Sequence, residues 1–230
     1  MLNRSIEYMN IAPYIDHTML KPVMTLEDAR NLCAEATQYG FAAVCLPPPL
    51  VRNAKAFLDG SSVKTATVIG FPFGYSAAKA KVFEVQQAIE DGADELDMVI
   101  NLVALKNKAW SYLEGEVKHI IEAVHKNDRI LKVIIESGVL TDAEIIECCK
   151  LYGGMGVDFL KTSTGYAEKG ATLEAVQLMR SHLPSSIKIK ASGGIRTAQF
   201  ARQLIGAGAD RLGCSASVAI VKEEQGTEGY

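Results

Sequence analysis

Residues 157–165, VDFLKTSTG, place a lysine where lysines are seldom found. The apolar residues before Lys161 predict a short buried strand, and the small polar residues after it predict the end of that strand. Two interpretations fit this stretch taken alone. The lysine stem could lie along an edge strand while its ammonium group reaches water, or the side chain could be buried and held for a task. The rest of the chain decides between them.

Eight apolar stretches of this kind alternate with helical patterns. The predicted strands cover residues 15–19, 42–46, 65–70, 95–100, 130–136, 157–161, 187–191 and 211–215. The predicted helices cover residues 25–39, 50–58, 77–91, 112–127, 142–152, 172–182 and 197–206. This order, without a linker, predicts an α/β fold: a single (β/α)8 TIM barrel domain over residues 1–230. We also expect a short N-terminal helical extension and, because residues 222–229 are polar and contain glycine, a flexible tail over about residues 221–230.

A doubly wound open sheet is the alternative for the same alternation of strands and helices. Its dinucleotide-binding form carries the pattern GxGxxG after the first strand. No such pattern follows residues 15–19. We therefore prefer the barrel.

Composition and charge narrow the class of protein. The chain has 230 residues, 48% of them hydrophobic, and a formal net charge of −3. Without a long basic run, neither nucleic acid nor an anionic membrane is an expected partner. The first residues lack the apolar core of a signal peptide, and no apolar run approaches the roughly twenty residues of a membrane-spanning helix. The five cysteines form no CxxC pair, which favours reduced thiols and a cytoplasmic location.

Several polar residues are predicted at the carboxyl ends of the strands, where barrel enzymes have their active sites. Alternate side chains of a strand share a face. In residues 95–101, ELDMVIN, the apolar Leu96 and Met98 suit the surrounding helices, so Asp97 is predicted to point into the barrel. By the same alternation, Lys190 of IKIKASGG points into the same mouth as Lys161.

Lys132 and Glu136 of LKVIIES also fall on the inward face, where we expect them to form a structural ion pair. For Asp97, Lys161 and Lys190 a purely structural network is the alternative. Two ammonium groups roughly 6 Å apart repel by about 2 to 3 kcal/mol at an effective dielectric of about 20, enough to lower one pKa by roughly two units. Lys161 would then more often be the neutral amine that attacks a carbonyl.

An anion site is predicted after the seventh strand. Gly193, Gly194 and Arg196 lead into the helix that begins near residue 197, so backbone amides and the helix N-terminus can face a phosphate. Barrels commonly bind phosphate between the loops after strands seven and eight, and Ser215 ends the eighth. A Gly-Gly pair that only makes a tight turn is the alternative.

Six motifs together resemble the deoxyribose-phosphate aldolase family. They are DHTMLKP at residues 16–22, VIGFPFG at 68–74, ADELDMVIN at 93–101, LKVIIESGVL at 131–140, FLKTSTG at 159–165 and KASGGIRT at 190–197. They span nearly the whole chain in the family's order. The resemblance implies a class I aldolase that cleaves 2-deoxy-D-ribose 5-phosphate reversibly to acetaldehyde and D-glyceraldehyde 3-phosphate, without metal or other cofactor.

The resemblance also implies roles for individual residues. Lys161 would form the Schiff base, Lys190 would tune it, and Asp97 would relay protons. The phosphate would be held by Gly165, Gly193, Gly194, Arg196 and Ser215. Relatives are often dimers, so a homodimer is possible, and some members bring a C-terminal tyrosine, here Tyr230, to the site.

Other activities stay open at this point. The four histidines show no HxH or HExxH spacing, which disfavours a metal-dependent class II aldolase. A different Schiff-base aldolase or transaldolase would use another donor. A catalytically silent phosphosugar-binding barrel would bind substrate without forming an imine.

Overall fold

The computed structural model describes residues 9–223. Eight parallel strands pair in sequence order, and the eighth pairs with the first to close a barrel. The strands are β1 Ile15–Thr18, β2 Ala43–Leu46, β3 Lys64–Ile69, β4 Glu95–Val99, β5 Ile130–Ile134, β6 Phe159–Lys161, β7 Lys188–Ser192 and β8 Arg211–Cys214. The predicted (β/α)8 fold is confirmed, and the open sheet is wrong because a closed ring of strands has no edge.

Helices surround the barrel. Within residues 9–223 they are α1 Leu26–Tyr39, α2 Val51–Phe57, α3 Ala78–Glu90, α4 Leu102–Lys106, α5 Trp110–His125, α6 Asp142–Met155, α7 Leu173–His182, α8 Ala198–Gly206 and α9 Ser217–Val221. The sequence did not predict α4 and α9, because five residues are too few to show a helical period. Of the predicted N-terminal extension, the described part contains the 3-10 turn Ala12–Tyr14. Val221, at the start of the predicted tail, ends α9, and residues 224–230, with Tyr230, lie outside the described residues.

Local sequence fixes where the longer helices begin and end. Thr25 and Asp28 form a reciprocal capping box at the start of α1, and Thr141 and Glu144 form another at the start of α6. Each box satisfies backbone amides that the first turn leaves unpaired. Both helices end at a glycine in the left-handed conformation, Gly40 and Gly156 respectively.

The apolar core lies between the barrel and its helices. Outward-facing Leu96 and Met98 of β4 are fully buried there, as are Val117 and Ile120 of α5. This arrangement leaves the interior of the barrel to the opposite face of the strands. On β2 and β3 the buried part of that face is apolar, with Cys45, Ala66 and Val68 in a small buried cluster, and on the other six strands it carries the charged residues.

Candidate active site

Asp97 on β4 is the centre of the charged cluster inside the barrel. Lys161 Nζ donates to Asp97 Oδ2 at 2.8 Å, and Lys190 Nζ donates to the same oxygen at 2.6 Å. Lys132 Nζ donates to Oδ1 at 2.8 Å. Lys161 is 2% exposed, and the other three side chains are fully buried.

Strand register brings these residues together. On β6 and β7, Lys161 lies directly beside Lys190, and on β4 and β5, Asp97 lies directly beside Lys132. Aligned residues of neighbouring strands project from the same face of the sheet. The three residues predicted from the sequence to meet, Lys161, Lys190 and Asp97, therefore do so.

A second group of charges, for which no role was predicted from the sequence, completes the cluster. Asp16 on β1 contacts Lys190 at 2.5 Å and Arg211 Nη1 at 2.6 Å. Glu95 contacts Lys132 at 2.5 Å and Arg211 Nη1 at 3.2 Å. For Glu95 the signal was present, since the alternation that turns Asp97 inward also turns Glu95 inward.

The predicted ion pair between Lys132 and Glu136 is wrong. Strand β5 ends at Ile134, so the alternation of side chains does not extend to Glu136. Glu136 instead adopts a left-handed backbone with φ 54° and accepts hydrogen bonds from Thr164. Lys132 pairs with Asp97 and Glu95.

Burial is the larger cause that lowers the pKa of Lys161 below that of a free lysine, and the nearby charge of Lys190 lowers it further. Asp97 opposes both effects without cancelling them. For Lys190 burial also acts to lower the pKa, but Asp16 and Asp97 outweigh it and raise the pKa above the ordinary value. Lys190 therefore stays protonated while Lys161 loses its proton more readily.

Burial acts to raise the pKa of Asp97, but the charges of Lys132, Lys161 and Lys190 hold it well below its usual range. The carboxyl group of Asp97 is accordingly ionised at neutral pH. Its Oδ2 accepts hydrogen bonds from both Lys161 and Lys190, which makes the carboxylate a link between their two amines.

A cavity of about 150 Å³ opens beside Lys161. The residues that line it include all five that we predicted from the sequence to bind phosphate: Gly165, Gly193, Gly194, Arg196 and Ser215. Thr18, Thr164 and Ser192 also line it and were not assigned from the sequence. In the described part of the chain, the amides of Gly193, Gly194 and Ser215 donate no hydrogen bond to other protein groups, so they are available to an anion.

Close approach of two loops requires glycine at this end of the cavity. A Cβ on Gly170 would lie 2.3 Å from the carbonyl oxygen of Gly193, and Gly193 itself has φ 88°. Behind Arg196, Thr197 caps α8 by accepting from the amide of Phe200. The loops after β6 and β7 therefore pack backbone to backbone around the space where an anion would lie.

Two further findings concern metals and membranes. Among residues 9–223, no group of three or more His, Cys, Asp or Glu side chains is arranged to hold a metal ion. In the same residues, no helix combines the length and the apolar character needed to cross a bilayer.

Comparisons with known proteins agree on one family. Residues 11–222 match the model of the DeoC/LacD family aldolases. A deoxyribose-phosphate aldolase from Thermococcus gammatolerans is 48% identical over 222 residues, which is 96% of this chain and 99% of that protein. A deoxyribose-phosphate aldolase from Caldicellulosiruptor saccharolyticus is 50% identical over 216 residues, covering 93% of this chain and 98% of the relative.

A solved structure agrees with these matches. The deoxyribose phosphate aldolase from Aeropyrum pernix, described as a unique tetrameric structure, superposes with a TM-score of 0.86 at 35% identity. The superposition covers 92% of this chain and 89% of that one.

Proposed function

This chain belongs to the DeoC/LacD family of aldolases, and we propose that it cleaves 2-deoxy-D-ribose 5-phosphate reversibly to acetaldehyde and D-glyceraldehyde 3-phosphate through a Schiff base on Lys161. The observation that carries the proposal is the placement of Lys161. Its amine is buried, contacts a carboxylate that it shares with a second lysine, and borders a cavity with free backbone amides.

The reaction begins with the neutral amine of Lys161. Lys161 Nζ attacks the aldehyde carbon of the open-chain sugar, and loss of water gives an iminium that withdraws electrons from the neighbouring carbons. Removal of the proton from the hydroxyl on C3 then breaks the bond between C2 and C3 and releases D-glyceraldehyde 3-phosphate. The enamine left on Lys161 takes a proton at C2, and addition of water releases acetaldehyde and restores the amine.

Asp97 and Lys190 are suited to the proton transfers. Asp97 is an ionised carboxylate in contact with Lys161, so through water it can take the proton from the C3 hydroxyl during cleavage and later deliver it to the enamine carbon. Lys190 stays charged beside it, which keeps Asp97 ionised and disfavours protonation of Lys161. We assign proton relay to Asp97 and pKa tuning to Lys190.

The phosphate of the substrate is assigned to the other end of the cavity. Gly165, Gly193 and Gly194 supply backbone amides, Arg196 a cation, and Ser215 an amide and a hydroxyl group. Hydrogen bonds from such donors to a charged acceptor are worth about 1.5 to 3 kcal/mol each. Binding of the phosphate at this end of the cavity fixes the distance between the aldehyde carbon and Lys161.

Borohydride trapping tests the proposal. With substrate present, reduction should attach the aldehyde to Lys161, detected by peptide mass spectrometry, and Lys161→Ala should abolish both the adduct and cleavage. Because Schiff-base chemistry uses no metal, EDTA should leave the rate unchanged. An adduct on another lysine would refute the assignment of Lys161. Binding without any adduct would instead support the silent barrel, and failure of acetaldehyde as donor would support a different Schiff-base aldolase.

The cysteines and one relative support proposals on location and assembly. All five cysteines are free and buried, which fits a reducing compartment such as the cytoplasm. The relative from Aeropyrum pernix is described as tetrameric, so we propose that this chain also self-associates, at least as a homodimer. Light scattering coupled to size exclusion would measure the number of subunits.

A further inference from the structure

Glu136 has an unusual backbone for a buried residue. Its φ of 54° and ψ of 57° lie in the left-handed region, which residues other than glycine adopt rarely and at a cost in free energy. Asp128, at the other end of β5, has the same φ of 54° but is exposed to solvent. Glu136 is only 4% exposed and lies at the mouth of the barrel. Strain of this kind is concentrated at functional sites.

The carboxylate of Glu136 holds one turn of the chain. Oε1 accepts from the amide of Thr164 at 3.2 Å, and Oε2 accepts from the Thr164 hydroxyl at 2.5 Å. The same hydroxyl oxygen accepts from the amide of Tyr166 at 3.0 Å. These bonds fix the residues on both sides of Gly165, which has φ 90°.

The turn held by Glu136 belongs to the cavity. Thr164 and Gly165 line it together with Lys161. The chain around Glu136 also bonds directly to this segment, since the amide of Ile135 donates to the carbonyl of Lys161 at 3.0 Å and the amide of Ser137 donates to Thr162 at 2.7 Å. Burial raises the pKa of Glu136, and the hydrogen bonds from Thr164 act against that rise.

We propose that Glu136 is a positioning residue whose carboxylate holds residues 162–166 in the shape that presents Lys161 and the amide of Gly165 to one substrate molecule. The proposal rests on the function proposed above and adds a residue that sets the affinity for the phosphate end of the substrate. Glu136 acts through Thr164 and does not line the cavity.

A purely structural turn would make different use of this position. Glycine and asparagine adopt the left-handed conformation more readily than glutamate, so either would form the turn with less strain. Glutamate brings a side chain long enough to reach Thr164. The contact with Thr164 therefore accounts for the strained residue.

Substitution of Glu136 by Asn separates the two roles. Glu136→Asn keeps a residue that tolerates the backbone but shortens the side chain so that it does not reach Thr164. We expect the ratio of kcat/KM for 2-deoxyribose 5-phosphate to kcat/KM for unphosphorylated 2-deoxyribose to fall about tenfold, since hydrogen bonds to a charged group are at stake. Asp128→Asn, with the same φ and no cavity contact, should leave the ratio unchanged.

Variants of Thr164 test the same bond from its other side. Thr164→Val removes the hydroxyl and should lower the ratio, whereas Thr164→Ser keeps it and should restore the wild-type ratio. If Glu136→Asn does not fold, as judged by circular dichroism, this pair gives the answer. An unchanged ratio in Thr164→Val, or in a folded Glu136→Asn, overturns the proposal.

The function proposed above is checked separately on the wild-type protein. Borohydride trapping of acetaldehyde on Lys161 requires no phosphate. Absence of the acetaldehyde adduct would refute the Schiff-base function. An adduct together with an unchanged ratio of the two kcat/KM values in the variants would refute only the role of Glu136.

Discussion

At the scale of single residues, two neighbouring lysines differ because their partners differ. Lys190 pairs with both Asp16 and Asp97, whereas among residues 9–223 the one carboxylate that pairs with Lys161 is Asp97. Both pay a desolvation penalty, but only Lys190 has enough negative charge around it to offset that penalty. Lys190 is therefore stabilised as a cation, whereas Lys161 more readily becomes the neutral, nucleophilic amine.

Sequence alone could predict that Lys161, Lys190 and Asp97 meet, because the two-residue alternation of strands gives their direction. It could not give the relative weight of burial and of Lys190 in lowering the pKa of Lys161, since that depends on how completely the barrel excludes water. Nor could it give the partner of Glu136. Alternation ends where the strand ends, and no pattern in LKVIIES marks Ile134 as the last strand residue.

At the scale of elements, the anion-binding end is set by the loops after β6 and β7. The sequence predicted both strands to within two residues of their observed bounds, and it predicted that Gly193 and Gly194 belong to the anion site. The role of Gly170 could not be predicted from the sequence, because it depends on a contact with Gly193, which lies in a different loop. Short elements such as α4 and α9 were also missed.

Substitution of Gly170 by Ala tests this contact. The added Cβ would lie 2.3 Å from the carbonyl oxygen of Gly193, so the two loops must move apart. We expect KM for 2-deoxyribose 5-phosphate to rise about tenfold, the effect of losing one hydrogen bond to a charged group. Steady-state kinetics measures it.

Gly154, within α6, provides the control for the Gly170 substitution. A Cβ there meets nothing within 4 Å. Gly154→Ala should leave KM unchanged and raise the free energy of unfolding by about 0.5 to 1 kcal/mol, because alanine favours a helix interior. Equal KM values for the two alanine variants would contradict the importance of the loop contact.

At the scale of the whole molecule, the barrel has a charged interior inside an apolar shell. Three carboxylates (Asp16, Glu95 and Asp97) and four cations (Lys132, Lys161, Lys190 and Arg211) contact one another among the described residues. Removing one partner from a buried network leaves uncompensated charge, which typically costs about 3 to 5 kcal/mol. Loss of a single member of the cluster should therefore destabilise the whole barrel, and we propose that the barrel forms one folding unit.

This arrangement predicts sensitivity to acid. Cations in the barrel hold the pKa values of Asp16 and Asp97 below those of the unfolded chain. Their contribution to stability is complete above the unfolded pKa of about 3.9 and is lost as the pH falls towards the folded values. Urea unfolding should therefore show a single transition whose free energy falls as the pH drops below about 4. A free energy of unfolding that stays level from pH 7 to pH 3 would contradict the proposed coupling.

The most direct test of the central claim is the pH dependence of imine formation at Lys161. Acetaldehyde and borohydride are supplied across a pH series, and the adduct on the Lys161 peptide is quantified by mass spectrometry. For the wild-type protein we predict half-maximal trapping below the pKa of a free lysine, about 10.4, and for Lys190→Leu a midpoint at higher pH, because a charge that lowers the pKa of Lys161 is removed. A wild-type midpoint at the pKa of a free lysine, or the same midpoint in both proteins, would contradict an amine kept neutral by burial and a neighbouring charge.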